Sequence, residues 1–317
     1  MHIPEKVPYW KILLKMRGTA MMRIWPRITF VTVLSAVVTY FELSYPDVHE
    51  NLTTVPFSLI AVALGIFLGF RNNTSYDRFW EGRKLWGRMV NISRSLTRQI
   101  LTLIGPQGSG DAPAELAAFQ RDLVRRVAAY VHAFRLHLRD QGMEDYRATL
   151  GHLLDDADIE ALAEETNRPV ALLQDLGDRF RGAWDRGWIH AMHLPVLEAA
   201  LTEMTGIQGG CERIKKTPIP FSYTVLIHRM VAVYCVALPF GIVQTVGSLT
   251  PLVVLIISFA FFGLDAVGDE IEDPFGTDPN DLPLTNLSTM IERNIRQRIG
   301  DEDLPPMPAV REGSFID

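Results

Sequence analysis

Apolar residues along this chain gather into long runs toward the two ends, with a polar and periodically patterned stretch between them. Residues 28–45 read ITFVTVLSAVVTYFELSY, interrupted only by Glu42, and residues 54–70 read TVPFSLIAVALGIFLGF before Arg71. Residues 230–264 form a third, charge-free run broken by GSLTP at 247–251. That run is too long for one crossing, because about 20 helical residues traverse a bilayer core. Two helices joined by a tight turn fit it, so the pattern predicts four transmembrane helices.

The middle of the chain repeats its apolar residues at helical spacing. Leu116, Phe119, Leu123, Val127 and Tyr130 lead to His132 and Phe134, and Leu194, Leu197, Leu201 and Met204 follow later. The breakers of GPQGSGDAP at 105–113 predict a loop, and Asn167-Arg168-Pro169 predicts a helix start. Strand-like alternation of any length and internal repeats are absent from the sequence. The expected fold is therefore an all-α membrane protein, with four transmembrane helices and a helical cytosolic bundle that extends them. Its parts are residues 1–75 (an N-terminal cytosolic segment and helices one and two), 76–217 (the cytosolic helical domain), 218–267 (helices three and four) and 268–317 (a cytosolic C-terminal segment with an extended tail from about Pro305).

Charge sets the orientation. Lys6, Lys11, Lys15, Arg17, Arg23 and Arg27 precede the first run, Arg71, Arg78, Arg83, Lys84 and Arg88 follow the second, and Arg213, Lys215, Lys216 and Arg229 precede the third. The connection between the first two carries Glu42, Asp47 and Glu50 with no Lys or Arg. Basic flanks stay in the cytosol, so both termini and the middle region are expected there. The N-terminus has the pattern of neither a cleavable signal nor a targeting peptide. A bacterial inner membrane is the expected location.

Composition removes other classes. The formal net charge is -6, which argues against a nucleic-acid partner. Cys211 and Cys235, the two cysteines, stand in unlike surroundings, so neither a disulfide framework nor a zinc site is expected. Nucleotide-loop, serine-hydrolase and zinc-protease motifs are missing, Gly209-Gly210 follows no strand, and no enzyme is expected. His190 and His193 stand three apart and would offer two metal ligands on one helix face, but packing or surface roles are the simpler reading.

The second run carries the most informative spacing. Ala61, Gly65 and Gly69 form a stripe of small residues that lets helix backbones approach closely in a membrane. Val62, Ile66 and Phe70 run beside it, also four apart. Converging from several copies, they would make an apolar constriction of the kind that gates by dewetting. Pro56 bends or starts this helix. The alternative is that the apolar residues face lipid and the glycines pack within one subunit.

The stretch GIFLGFRNNTSYDRFWEGRKLWGRM at 65–89 resembles the second-helix region of the bestrophin family. TEM at 202–204, PIPFSY at 218–223, DPFGTDPNDLPLTNL at 273–287 and the basic N-terminal stretch with its Trp and Arg-Gly match the same family in order. The resemblance implies a homopentameric ion channel around a central pore, its neck lined by Val62, Ile66 and Phe70 with Ile66 at the centre. It also implies a cytosolic aperture at Val196, with Leu197 as the second choice. Animal members bind calcium after PFG, which here would use Asp278 and Asp281 as side-chain ligands and Thr277 and Asp273 as carbonyl ligands. Thr277, Pro279 and Asn280 replace part of the animal acidic run, so the site would be weak or absent, and no cofactor is expected. The partners implied are further copies of the chain, membrane lipid and small monovalent ions.

An apolar neck does not select ion sign. The resemblance carries both readings, since animal members pass anions and some prokaryotic members pass monovalent cations. The acidic connection would concentrate cations at the outer mouth and tips the sequence reading slightly toward them. A chloride channel of the same fold and a non-conducting membrane-anchored scaffold are the alternatives. A transporter would carry inverted repeats and polar interrupted helices, and the sequence has neither.

Overall fold

The structure, a computed structural model, describes residues 21–45, 53–106 and 114–309. The basic residues before position 21, Asp47, Glu50, most of the loop at 105–113 and the last eight residues lie outside that set. The described chain is helical: α1 (Met21–Ser44), α2 (Val55–Leu103), α3 (Ala114–Leu138), α4 (Met143–Leu150), α5 (Asp156–Ala161), α6 (Arg168–Asp185), α7 (Leu194–Lys216), α8 (Phe221–Val246), α9 (Thr250–Glu272) and α10 (Leu284–Arg296). Among the described residues the β contribution is a single bridge, Ile104 to Ile189, which ties the end of α2 to the turn before α7.

Three stretches are long and apolar enough to cross a membrane: Met22–Ser44, Val55–Leu103 and Phe221–Glu272. The third bends back on itself. Gly247 adopts φ 61°, a left-handed conformation that costs a glycine little, and one 3-10 turn joins α8 to α9, which pack together. The GSLTP interruption thus becomes the turn between two helices of 26 and 23 residues.

α2 organises the molecule. Its 49 residues extend about 73 Å at 1.5 Å per residue, well beyond a bilayer core. Pro56 stands in its first turn, where a missing N–H costs nothing, and so starts the helix without bending it. Positions 75 and 76 lie inside it, so the apolar half and the polar helical bundle expected in the cytosol share one continuous helix.

Two cores flank that helix. In the apolar half, Ile24, Ile28 and Val31 of α1, Leu64 and Leu68 of α2, Ile227, Val231 and Leu238 of α8, and Val254 and Phe262 of α9 pack together. The second core is larger and centres on α3, where Leu123, Val124, Val127–Val131, Ala133 and Phe134 are excluded from solvent. A helix buried on all sides must be enclosed, and α2, α6, α7 and α10 enclose it. Trp86 stacks on Phe134 at 5.3 Å, and Phe134 on Tyr130 at 6.2 Å. Asn167 caps α6, accepting the Val170 N–H at 3.4 Å, at the predicted helix start.

Candidate functional site

α2 turns one face inward and another outward. Leu64, Leu68, Arg71 and Ser75 are buried, whereas Val62, Ile66 and Phe70, on the opposite side, are 65%, 53% and 61% exposed. Three large apolar side chains thus stand a turn apart with no cover from their own protomer. Ala61 is half-buried against the apolar core, but a Cβ built at Gly65 or Gly69 would meet no atom within 4 Å. Ala61 therefore packs inside the subunit, whereas Gly65 and Gly69 do not. Tyr76 and Trp80, stacked at 6.5 Å, continue the exposed face toward the cytosol.

The second constriction candidates separate sharply. Val196 is 41% exposed in the first turn of α7, whereas Leu197 is fully buried in the cytosolic core and has no access to a conduit. The register of α7 decides this: Leu197, Ala200, Leu201 and Met204 form its inward face, and Val196 lies one residue off it. His190 and His193, in the turn just before, lie 5.6 Å apart between ring centroids, and His190 Nδ1 accepts the Met192 N–H at 3.2 Å. No third ligand-bearing side chain joins them among the described residues.

One residue beyond the Val62, Ile66 and Phe70 stripe begins a charged cluster that sequence reading missed. Arg71, which follows Phe70, is wholly buried, and its guanidinium donates to Asp265 Oδ1 at 2.8 Å and also pairs with Asp269. His228 meets Asp265 Oδ2 through Nδ1 at 2.7 Å. Gly268 allows this approach, since a Cβ there would lie 2.4 Å from Asn72 Oδ1. Arg78 extends the junction, donating to the carbonyls of Ile214 (2.6 Å), Thr217 and Glu272 (3.0 Å). His228, Asp265 and Asp269 have donor atoms close enough to hold a metal ion, but the Arg71 guanidinium already occupies the carboxylates and opposes a second cation. The cluster ties α2 to α9 through Arg71 and α8 to α9 through His228. The sequence signal was present: acids four apart just after the third apolar run, a histidine just before it and an arginine just after the second need partners.

In the loop after α9 the acids point to different tasks. Asp281 is buried and accepts the Asp278 N–H at 2.8 Å, Asp278 pairs with Arg23 at 3.0 Å, and Asp273 accepts the Phe275 N–H at 3.4 Å. Burial, with the charges of Asp278 and Asp273, pushes the Asp281 carboxyl up to about 7 against the pull of that N–H. Asp273 and Asp281 are thus held by backbone N–H groups of the turn itself, and Asp278 by Arg23 of α1.

A family model described as bacterial/fungal bestrophin protein matches residues 1–297. The chain belongs to the bestrophin family. This bestrophin is 40% identical over 305 residues to a voltage-dependent anion channel-forming protein of Ralstonia nicotianae, covering 96% of each chain. It is 39% identical over 299 residues to a protein of the same description from Mesorhizobium japonicum, covering 93% of this chain and 91% of the relative. Among solved structures, a bacterial bestrophin homolog from Klebsiella pneumoniae superposes with a TM-score of 0.81 at 32% identity, covering 88% of this chain and 99% of the other. The all-helical membrane-protein fold and the family's channel character agree with the sequence reading.

Proposed function

We propose that this bestrophin is a four-span channel of a bacterial inner membrane, with both termini cytoplasmic, that passes small monovalent ions between copies of itself. The observation that carries the reading is the outward, uncovered stripe of Val62, Ile66 and Phe70 beside glycines that meet nothing in their own protomer. Glycines facing another helix let backbones approach closely, and the neighbouring stripe then converges on a shared axis. Such a ring excludes bound water until it widens. Five copies is the number that the bestrophin resemblance implies. Val196, exposed at the head of α7, is the matching candidate for a cytosolic aperture. Calcium is not needed by this reading, since the loop acids already have partners.

The names of the relatives favour anions, and we adopt that sign. A cation channel is the second reading, favoured by the acidic connection of Glu42, Asp47 and Glu50. Purified protein in liposomes with asymmetric potassium chloride separates the two. The anion reading predicts a reversal potential near the chloride equilibrium value, and the potassium value would transfer the assignment to cations. Ile66→Ala is expected to raise flux by widening the neck. Zero flux from both proteins would replace the channel with a membrane-anchored scaffold.

A further inference from the structure

The cytosolic end of α2 and the end of α10 enclose a groove of about 540 Å³, within the size range of small-molecule sites. Three arginines line it: Arg94 and Arg98 from α2, and Arg298 from the turn after α10. No carboxylate does. Arg94 donates to the neutral Asn294 Oδ1 at 2.6 Å, and Arg98 and Arg298 are exposed without an ion-pair partner among the described residues. Among the described residues nine other arginines, Arg71 and Arg126 among them, pair with carboxylates, whereas these three gather in one groove and pair with none. Leu101 gives the groove an apolar wall, backed by Ile295, which is buried in the core behind it.

We propose that this groove binds a small soluble organic anion, a phosphate or carboxylate ester-sized molecule with an apolar body. Guanidinium groups match the oxygens of phosphate and carboxylate in bidentate geometry, and the Leu101 wall receives the remainder. Lipid headgroups are not the source. Arg94 stands 24 residues beyond Phe70 on one unbroken helix, about 36 Å farther from the neck. The site is independent of ion conduction, and its test does not rely on flux.

The test is calorimetric titration of the full-length purified protein with phenyl phosphate, inorganic phosphate and phenol, at fixed salt. Phenyl phosphate is expected to bind at least ten-fold more tightly than inorganic phosphate, with no saturable binding of phenol. The exposed-residue double variant Arg98→Gln/Arg298→Gln is expected to weaken phenyl phosphate at least thirty-fold, while Arg181→Gln, in a surface pair elsewhere, leaves it unchanged. Equal affinity for phenyl and inorganic phosphate would mean an adventitious ion only. Undiminished binding in the double variant, or no binding by the wild type, would also overturn the proposal. So would collapse of the oligomer in that variant by size-exclusion with light scattering, which would assign these arginines to a subunit contact.

Discussion

Trp86 and Ile66 stand on the same helix, both large and apolar, yet Trp86 is wholly buried and Ile66 is half exposed. The two halves of α2 obey different rules. In the cytosolic half, Leu85, Trp86, Met89, Leu96 and Ile100 point into the bundle, as burial away from water demands. In the apolar half, Leu64 and Leu68 alone among the large apolar side chains between 62 and 70 are buried, and the charges of Arg71 and Asp265 are inside with them. The outward apolar side chains of this half have their cover outside the protomer, in hydrocarbon or, for the 62, 66 and 70 stripe under the proposed reading, around an axis shared with other copies, whereas a charged side chain must turn inward. Hydrophobicity therefore marks the core alone around the second half of α2, and both core and surface around the first.

The largest contrast comes from truncating each side chain. Trp86→Ala is expected to cost about 3–5 kcal/mol, since it removes the stack on Phe134 and opens a cavity. Phe70→Ala is expected to change stability by less than about 0.5 kcal/mol, because no core atom rests on it. Thermal unfolding in detergent compares the two directly. Similar losses would show that Phe70 is a packed residue and that the two halves do not differ.

Next in size is Arg71→Met, expected to cost about 3 kcal/mol by leaving the Asp265 carboxylate buried without its guanidinium. Adding Asp265→Asn should recover part of that loss. A double variant no better than the single would mean that the pair does not hold α2 against α9.

A smaller effect is expected from pH, and it belongs to the cytosolic half. Burial holds His132 below the usual histidine range, outweighing its hydrogen bond to Glu292, which Nε2 makes at 2.8 Å. Its Nδ1 is buried with no partner, so a proton placed there would go unpaired. Burial would raise the Glu292 carboxyl, but hydrogen bonds from His132, His152 and Arg296 hold it well below the carboxylate range. The signs agree. Below the ordinary histidine value of 6.5 the unfolded chain binds a proton that folded His132 refuses, so stability falls with acidification. The contribution of Glu292 is full above 4.5 and is lost as pH falls through its depressed value. Asp281, raised to about 7, acts in the opposite sense and gains stability as pH falls from 7.5 to 5. The His132 contribution is therefore read as a difference: His132→Gln is expected to lose less unfolding temperature than the parent protein over that range. An unchanged slope in the variant would remove His132 from the explanation.

How much of this was legible follows from the same contrast. The cytosolic core could be read because Leu123, Val127, Tyr130 and Phe134 repeat with the helix, and water makes that repeat mean burial. The apolar runs, the turn at Gly247 and the stripe of 62, 66 and 70 were equally plain from spacing. Leu197 was not, because a one-residue shift on α7 exchanges core for surface, and only the packing of Leu201 and Met204 fixes the register. The Arg71 cluster was missed because it joins positions 194 residues apart, and a basic residue after an apolar run reads first as an orientation signal.

The account rests on Ile66 facing an aqueous axis shared by copies of the chain. Both native cysteines are buried, so Ile66→Cys introduces an accessible thiol of its own. The variant in liposomes is expected to cross-link into covalent dimers under mild oxidant and to lose ion flux to a charged, membrane-impermeant thiol reagent. A thiol at 66 that neither cross-links nor reacts with that reagent, while labelling readily with a lipid-soluble maleimide, would place the stripe against acyl chains and contradict the account.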